Sequence, residues 1–271
     1  MSDNDKVLKR INKPTLLLDE KQCKANIQQQ VLKAKRLNLT FRPHFKTHQS
    51  AEIGEWYKEF GVNKITVSSV LMAEYFANNG WDDILIAFPV NVLEINQINS
   101  LAKKIKLHVL ISEEHAIAQL VNKIDTPISV FVEIDTGQNR SGFKLEEIVN
   151  IKNTIHKINH SKLLNFSGFV AHAGQSYQYQ HAPEKVKVLQ GKLNSDLMVL
   201  KLTFQDAFIS VGDTPTFSLS DSFSGMDEVR PGNAVFYDWM QYQIGACAKE
   251  QIAVKLACPI VAVYPEREEF V

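Results

Sequence analysis

The chain has 271 residues, with 30 basic against 30 acidic side chains, so its formal net charge is zero. That balance offers no global field to draw in polyphosphate or an anionic membrane, which argues against nucleic-acid binding. Hydrophobic residues make up 45% and charged residues 22%, as in a folded soluble domain, and the longest apolar run, Leu256 to Tyr264, falls well short of the roughly 20 residues that span a membrane.

The polar start, Met1 to Lys6, has no apolar stretch behind it to act as a signal peptide. Cys23, Cys247 and Cys258 are too few and too scattered for a disulfide framework or zinc knuckle, and read as buried structural thiols of a cytoplasmic protein. A first helix is predicted from about Glu20 to Leu37, capped by Asp19, with Ile27, Val31 and Ala34 on one side. Strands are predicted at Thr40–Lys46, Lys64–Ser68, Asp83–Phe88, Lys106–Ile111, Ile128–Asp135, Asn165–His172, Ala207–Val211 and Ala234–Tyr237. Between the first two, Ile53, Trp56, Tyr57 and Phe60 mark a helix face, with Ser50 as N-cap and Gly61 just past its end. Ala116, Ile117, Leu120, Val121 and Ile124 mark another, behind Ser112 as its cap. The helix before the eighth strand is the weakest, because Thr214–Asp227 is mostly Ser, Thr, Pro and Gly. The end, Cys258–Val271, reads as one strand, a turn and the start of another, as if the chain stopped within a sheet.

Eight strands alternating with helices fit an α/β fold, a (β/α)₈ TIM barrel, which takes about 250 residues. An open doubly wound sheet is the alternative, disfavoured because no G-x-G-x-x-G follows the first strand. In a barrel, chemistry belongs on the loops leaving the C-terminal strand ends.

Period two puts Arg42, His44, Lys46 and His48 on one face of the first strand, opposite Phe41, Pro43, Phe45 and Thr47. One reading is a solvated edge strand with a basic face. The other is a row of basic groups aimed into the barrel mouth, where desolvation and neighbouring charge would free the Lys46 amine as a nucleophile. After the fifth strand, Gly137 and Gly142 flank Arg140, either a turn with a surface arginine or a site for an anion. His172 and Tyr177 follow the sixth strand. Gly212-Asp-Thr214-Pro-Thr follows the seventh, where barrels often hold phosphate, although a plain Thr-Pro turn fits as well. Arg230 and Gly232 come to the same side. Together these groups suit pyridoxal 5′-phosphate better than a metal or a nucleotide.

In this order, Arg42-Pro-His-Phe-Lys46-Thr-His48, Glu133-Ile-Asp-Thr-Gly137…Arg140-Ser-Gly142, His172-Ala-Gly174-Gln-Ser-Tyr177, Gly212-Asp-Thr214-Pro-Thr and Arg230-Pro-Gly232 resemble the fold type III pyridoxal-phosphate enzymes. The resemblance is greatest to the D-threonine aldolase and D-serine dehydratase branch, relatives of alanine racemase, and runs from Thr15 to Pro265. It implies Lys46 as the Schiff-base lysine, Arg140 beside the cofactor ring, Gly212 and Thr214 at its phosphate, and His44 and Tyr237 as further cofactor contacts. Arg230 matches the racemase arginine at the pyridine nitrogen, a residue the aldolase and dehydratase branch often lacks. His172 and Tyr177 would border the substrate as catalytic candidates.

It also implies three segments: an N-terminal piece (1–20), the cofactor-binding barrel (21–243) and the start of an incomplete C-terminal β-domain (244–271). In that branch the β-domain supplies a His-x-Asp or His-x-Cys metal pair, and in racemases a Tyr base. No His follows His181, so no metal ligands are identified here, and a divalent metal belongs to the full-length protein if to any. The expected activity is that of a lyase on D-configured β-hydroxy amino acids, with an amino acid as the small-molecule partner and a homodimer as the assembly. Alternatives are an amino-acid racemase, a non-catalytic pyridoxal-phosphate carrier, and a cofactor-free barrel using Lys46 on sugar phosphates.

Overall fold

The computed structural model describes residues 7–205 and 207–271. A short strand β1 (Thr15–Leu18) leads into helix α1 (Glu20–Arg36), whose first turn is closed by Asp19 Oδ1 accepting from Gln22 N at 2.9 Å. The helix buries Cys23, Ile27, Val31 and Ala34, the apolar side that its periodicity predicts. Then come β2 (Thr40–Phe41), α2 (Ala51–Glu59), β3 (Ile65–Val67), α3 (Val70–Asn78), β4 (Asp83–Pro89), α4 (Ile95–Ala102), β5 (Lys106–Ile111) and α5 (Glu114–Lys123). The rest of the barrel is β6 (Ile128–Ile134), α6 (Ile148–His160), β7 (Leu164–His172), α7 (Pro183–Thr203), β8 (Ile209–Gly212), α8 (Thr214–Leu219) and β9 (Glu228–Val229).

The eight strands β2 to β9 form one parallel sheet in the order β2-β9-β8-β7-β6-β5-β4-β3. A bridge between His44 and Thr66 joins its two ends, with Phe45 N donating to Thr66 O and Thr66 N to Pro43 O. The sheet therefore closes on itself, and the open doubly wound alternative is set aside. Helices cover the outer face over a core that includes Ile65, Ile84, Val109, Val130 and Ile209, which explains the nearly continuous apolar runs of the central strands. Among the described residues no helix is long and apolar enough to cross a membrane.

The eighth strand is not Ala234–Tyr237. The sheet takes Glu228–Val229 instead, while Asn233–Val235 is a 3₁₀ turn. Tyr237 has φ +46°, a left-handed conformation no strand can contain. The first strand is also shorter than expected. Ladder bonds run on through Arg42 N and His44 N, but residues 45–48 form a turn. That turn breaks the alternation, so His48 leaves the barrel interior and packs against Phe45, Tyr57 and Phe76. Arg42 is buried deeper, in ion pairs with Asp83 and Glu228, so the solvated-edge reading of this strand fails. Ser112 is not the cap of α5. Glu113 accepts from Ala116 N there, and the Ser112 hydroxyl donates to Glu133 Oε2 at 2.5 Å. Of the three thiols only Cys23 is buried, and Cys258 is exposed.

Past the barrel lie helix α9 (Trp239–Ile244), β10 (Val254–Ala257), β11 (Val263–Tyr264) and β12 (Glu269–Phe270). β10 runs antiparallel to β1, and β11 pairs with β12. The expected strand, turn and second strand at the end are this last hairpin.

Candidate active site

A cavity of about 580 Å³ opens at the C-terminal ends of the barrel strands. Lys46, His44, Arg140, His172, Tyr177, Gly212, Arg230 and Tyr237 all line it. Of the cofactor and substrate residues that the resemblance assigns, only Thr214 does not, while Arg42 and His48 of the basic row also lie outside its wall.

Lys46 follows directly on the barrel seam. Phe45, wholly buried against Tyr57, Phe76 and Trp81, anchors the turn from behind, and Gln49 N donates to Phe45 O. The Lys46 side chain is exposed and lines the cavity. Recession from bulk solvent, followed by the charges of Arg140 and Arg230, lowers its pKa and favours the free amine. His44 is buried, and its Nδ1 accepts from Lys46 N at 3.3 Å. Burial, then Lys46 and Arg230, keep that imidazole neutral.

Arg230 is buried without a carboxylate in salt-bridge reach among the described residues. Its Nε donates to Ser210 Oγ and its Nη2 to Ala171 O, both at 2.8 Å. Gly212 allows this placement, since a Cβ there would stand 3.1 Å from Arg230 Cζ. Gly232 is equally confined, because a Cβ would meet His44 O at 3.1 Å.

His172 Nδ1 contacts Gly212 O. A carbonyl only accepts, so Nδ1 carries the proton and Nε2 keeps its lone pair. Burial, then Arg230, bring its pKa down to about 3, so the ring is neutral at physiological pH. Arg140 is half exposed and lies 3.8 Å from Glu133 Oε1. Tyr177 reaches the loop after β8, where its oxygen accepts from Thr214 N at 3.3 Å, and burial raises its pKa to about 12. The Thr214 oxygen accepts from Gly232 N and Asn233 N, tying this loop to the one after β9. The Tyr237 hydroxyl accepts from Gln30 Nε2 at 2.8 Å and meets Ser218 Oγ at 3.2 Å.

Several polar residues of the wall were not singled out from sequence, among them Glu133, Asp213 and Asn233. Glu133 had a signal, as the lone acid inside the apolar run Ile128–Ile134, with inward parity. Asp213 also had one, since it stands as an N-cap before Thr214-Pro-Thr and accepts from both Thr216 N and Thr216 Oγ1. Burial raises its carboxyl to about 6. Asn233 had none, because it lay at the edge of a mistaken strand. Among the described residues no group of three or more His, Cys, Asp or Glu could hold a metal ion.

A family model described as the alanine racemase N-terminal domain matches residues 18–238. The chain belongs to that family. It is 30% identical to the D-serine dehydratase of Dictyostelium discoideum, over 99% of this chain and 74% of that protein. It is 27% identical to the D-threo-3-hydroxyaspartate dehydratase of Delftia sp. (strain HT23), over 93% of this chain and 68% of that one. An alanine racemase-like protein of Idiomarina loihiensis superposes with a TM-score of 0.89 at 25% identity, covering 98% of this chain and 72% of its own.

Membership of this family implies pyridoxal 5′-phosphate, and the cavity fits it. It offers a lysine whose pKa is depressed, an arginine with no carboxylate partner, and two glycines where a Cβ would crowd the wall. These suit an anionic, aromatic aldehyde better than a cation.

Proposed function

We propose that this chain is a pyridoxal-phosphate-dependent lyase acting on D-configured β-hydroxy amino acids, of the dehydratase or aldolase type. The observation that carries the reading is Lys46, an amine whose pKa is lowered, in the wall of a cavity with two arginines. The names of the relatives, two dehydratases of D-amino acids, support the substrate class.

Pyridoxal phosphate, when bound, supplies an electrophilic carbonyl and a ring that withdraws electrons from the substrate's Cα bonds. Lys46 would be the lysine that holds it. Lys46 Nζ, with its pKa lowered, would be the group suited to take the Cα proton. The loops at Gly212–Thr214 and Gly232–Asn233, with the Tyr177 hydroxyl, would hold the phosphate, and Tyr177 thus belongs at the cofactor's end rather than at the substrate's. Thr214 would act by bracing these loops. Tyr237 and His44 would wall the cofactor, and Arg140 would face the ring or the substrate carboxylate. His172 is too weak a base for proton abstraction near neutral pH. Its Nε2 lone pair suits it to accept a hydrogen bond from the substrate's hydroxyl.

Residues 21–243 form the cofactor-binding part in this reading, and 244–271 open a β-domain. The separation of the β1–β10 pair and the β11–β12 hairpin from the barrel sheet supports that boundary. A homodimer is part of the proposal, tested by light scattering.

Borohydride reduction of the holoenzyme followed by peptide mapping should place the cofactor on Lys46, and Lys46→Ala should lose turnover of D-serine and D-threonine. Substantial turnover by that variant sinks the proposal. Arg230 favours a second reading, amino-acid racemase. It would show as solvent deuterium at Cα in both enantiomers, without loss of amino acid.

A further inference from the structure

One part of the barrel interior is apolar, filled by Leu85, Leu110, Phe131 and Val170. Beside it a chain of polar groups climbs from the floor to the cavity. Arg42 donates through Nη1 to Asp83 Oδ1 at 2.6 Å and through Nε to Glu228 Oε2 at 2.8 Å. Ser210 Oγ donates to Glu228 Oε1 at 2.8 Å and accepts from Arg230 Nε at 2.8 Å. Arg42, Ser210, Glu228 and Arg230 are all at most 5% exposed.

Every direction in this chain is determined. An arginine N–H only donates, so the Ser210 oxygen accepts from Arg230, and its single proton goes to Glu228. Both Glu228 oxygens then accept, Oε2 from Arg42 and Oε1 from Ser210. The hydroxyl also stands between two opposite charges that would otherwise pair directly. Arg230 is thereby held in place by an acid it does not touch, and its charge stays available to the cavity.

We propose that Ser210 and Glu228 are positioning residues that aim the Arg230 guanidinium at the cofactor as a fixed, un-neutralised donor. This rests on the cofactor reading above. A donor that keeps its proton sets the electronic state of any ring acceptor it meets, so the relay acts on the bound cofactor's spectrum as well as on its retention.

The test compares wild type, Ser210→Ala, Ser210→Thr and Glu228→Gln for pyridoxal-phosphate affinity, for the pH midpoint of the bound cofactor's visible band, and for thermal unfolding. Hydrogen bonds to charged groups are among the stronger ones, so Ser210→Ala and Glu228→Gln should each weaken binding about ten-fold or more. Both should move the midpoint of the band, and Ser210→Thr, which keeps the hydroxyl, should restore affinity and midpoint. A folded Ser210→Ala protein with wild-type affinity and midpoint overturns the relay alone. Parallel losses in Ser210→Ala and Ser210→Thr that track thermal stability also overturn it, since they report packing. A wild type with no band that borohydride can reduce overturns the cofactor reading, and the relay with it. Should Glu228→Gln fail to fold, Ser210→Ala decides, because it removes one oxygen and leaves both charges in place.

Discussion

His44, His48, His108 and His172 share one consequence of where their rings sit: burial lowers the pKa of each, to about 3 for His48 and His172. An unfolded histidine titrates near 6.5. Above that pH both states are neutral and these rings add no pH dependence. Below it the unfolded chain takes up protons that the folded rings refuse, and stability falls as pH falls. Asp213 opposes this between about pH 6 and 4, because its raised carboxyl binds a proton first in the folded state. Asp83, held low by His108 and Arg42 against the effect of its own burial, adds to acid loss only below the ordinary carboxylate range. Four histidines outweigh one aspartate. Thermal unfolding should therefore fall more steeply from pH 6.5 to 5 than from pH 8 to 7. Each net proton contributes at most about 1.4 kcal/mol per pH unit, and His48→Phe should reduce the slope. A melting temperature constant from pH 7 to 5 contradicts the argument.

Strand β7 shows how an element depends on one residue without a side chain. Its register against β6 shifts between Val130 and Phe131, so that Phe166 and Gly168 flank an extra residue, a bulge. Gly168 has φ +125°, and a Cβ there would stand 2.1 Å from Phe208 O on the approach to β8. Gly168→Ala combines a strained backbone with a clash, and should cost about 3 kcal/mol or more. Denaturant unfolding measures it, and a loss under 1 kcal/mol would refute the reasoning. Elements of this kind were only partly legible in advance. Periodicity located seven strands because their outer faces are apolar, and the barrel rule then placed Lys46, His172, Gly212 and Arg230 at one mouth. The eighth strand escaped because its inward residues are charged: Glu228 and Arg230 hide a β pattern, while Ala234-Val-Phe-Tyr237 imitates one. Alternation likewise states a side, never a depth. It put Arg42 beside Lys46, although Arg42 is spent on Asp83 and Glu228 below, and it carried His48 past the turn that removes it. A phosphate-loop pattern likewise cannot show that Thr214 already has two backbone donors.

The whole molecule closes at the junction of β2 and β3, where the continuous ladder is reduced to the His44–Thr66 bridge. A barrel is only as secure as this seam, and Arg42 spans it. Its guanidinium joins Glu228 on one side to Asp83 on the other, with Nη1 also near Ile65 O and Asp83 O at 3.4 Å. The gain from burying such charges is small beside their desolvation, so the staple contributes less through net energy than through what its loss leaves behind. Arg42→Met keeps the volume but leaves Glu228 buried with only the Ser210 hydroxyl, while Asp83 keeps Lys106 and His108, so the loss should be about 3 kcal/mol. Adding Glu228→Gln removes that stranded charge, so the double variant should be destabilised by clearly less than the sum of the singles. Additive losses in urea unfolding would mean that Arg42 and Glu228 act independently, leaving the seam to its few backbone bonds. The same cycle bears on the site, because Glu228 is the carboxylate shared by the seam and by the Ser210–Arg230 arm. Closure of the barrel and aim of the guanidinium at the cavity then rise and fall together, and Arg42→Met should loosen cofactor binding from a position outside the cavity wall.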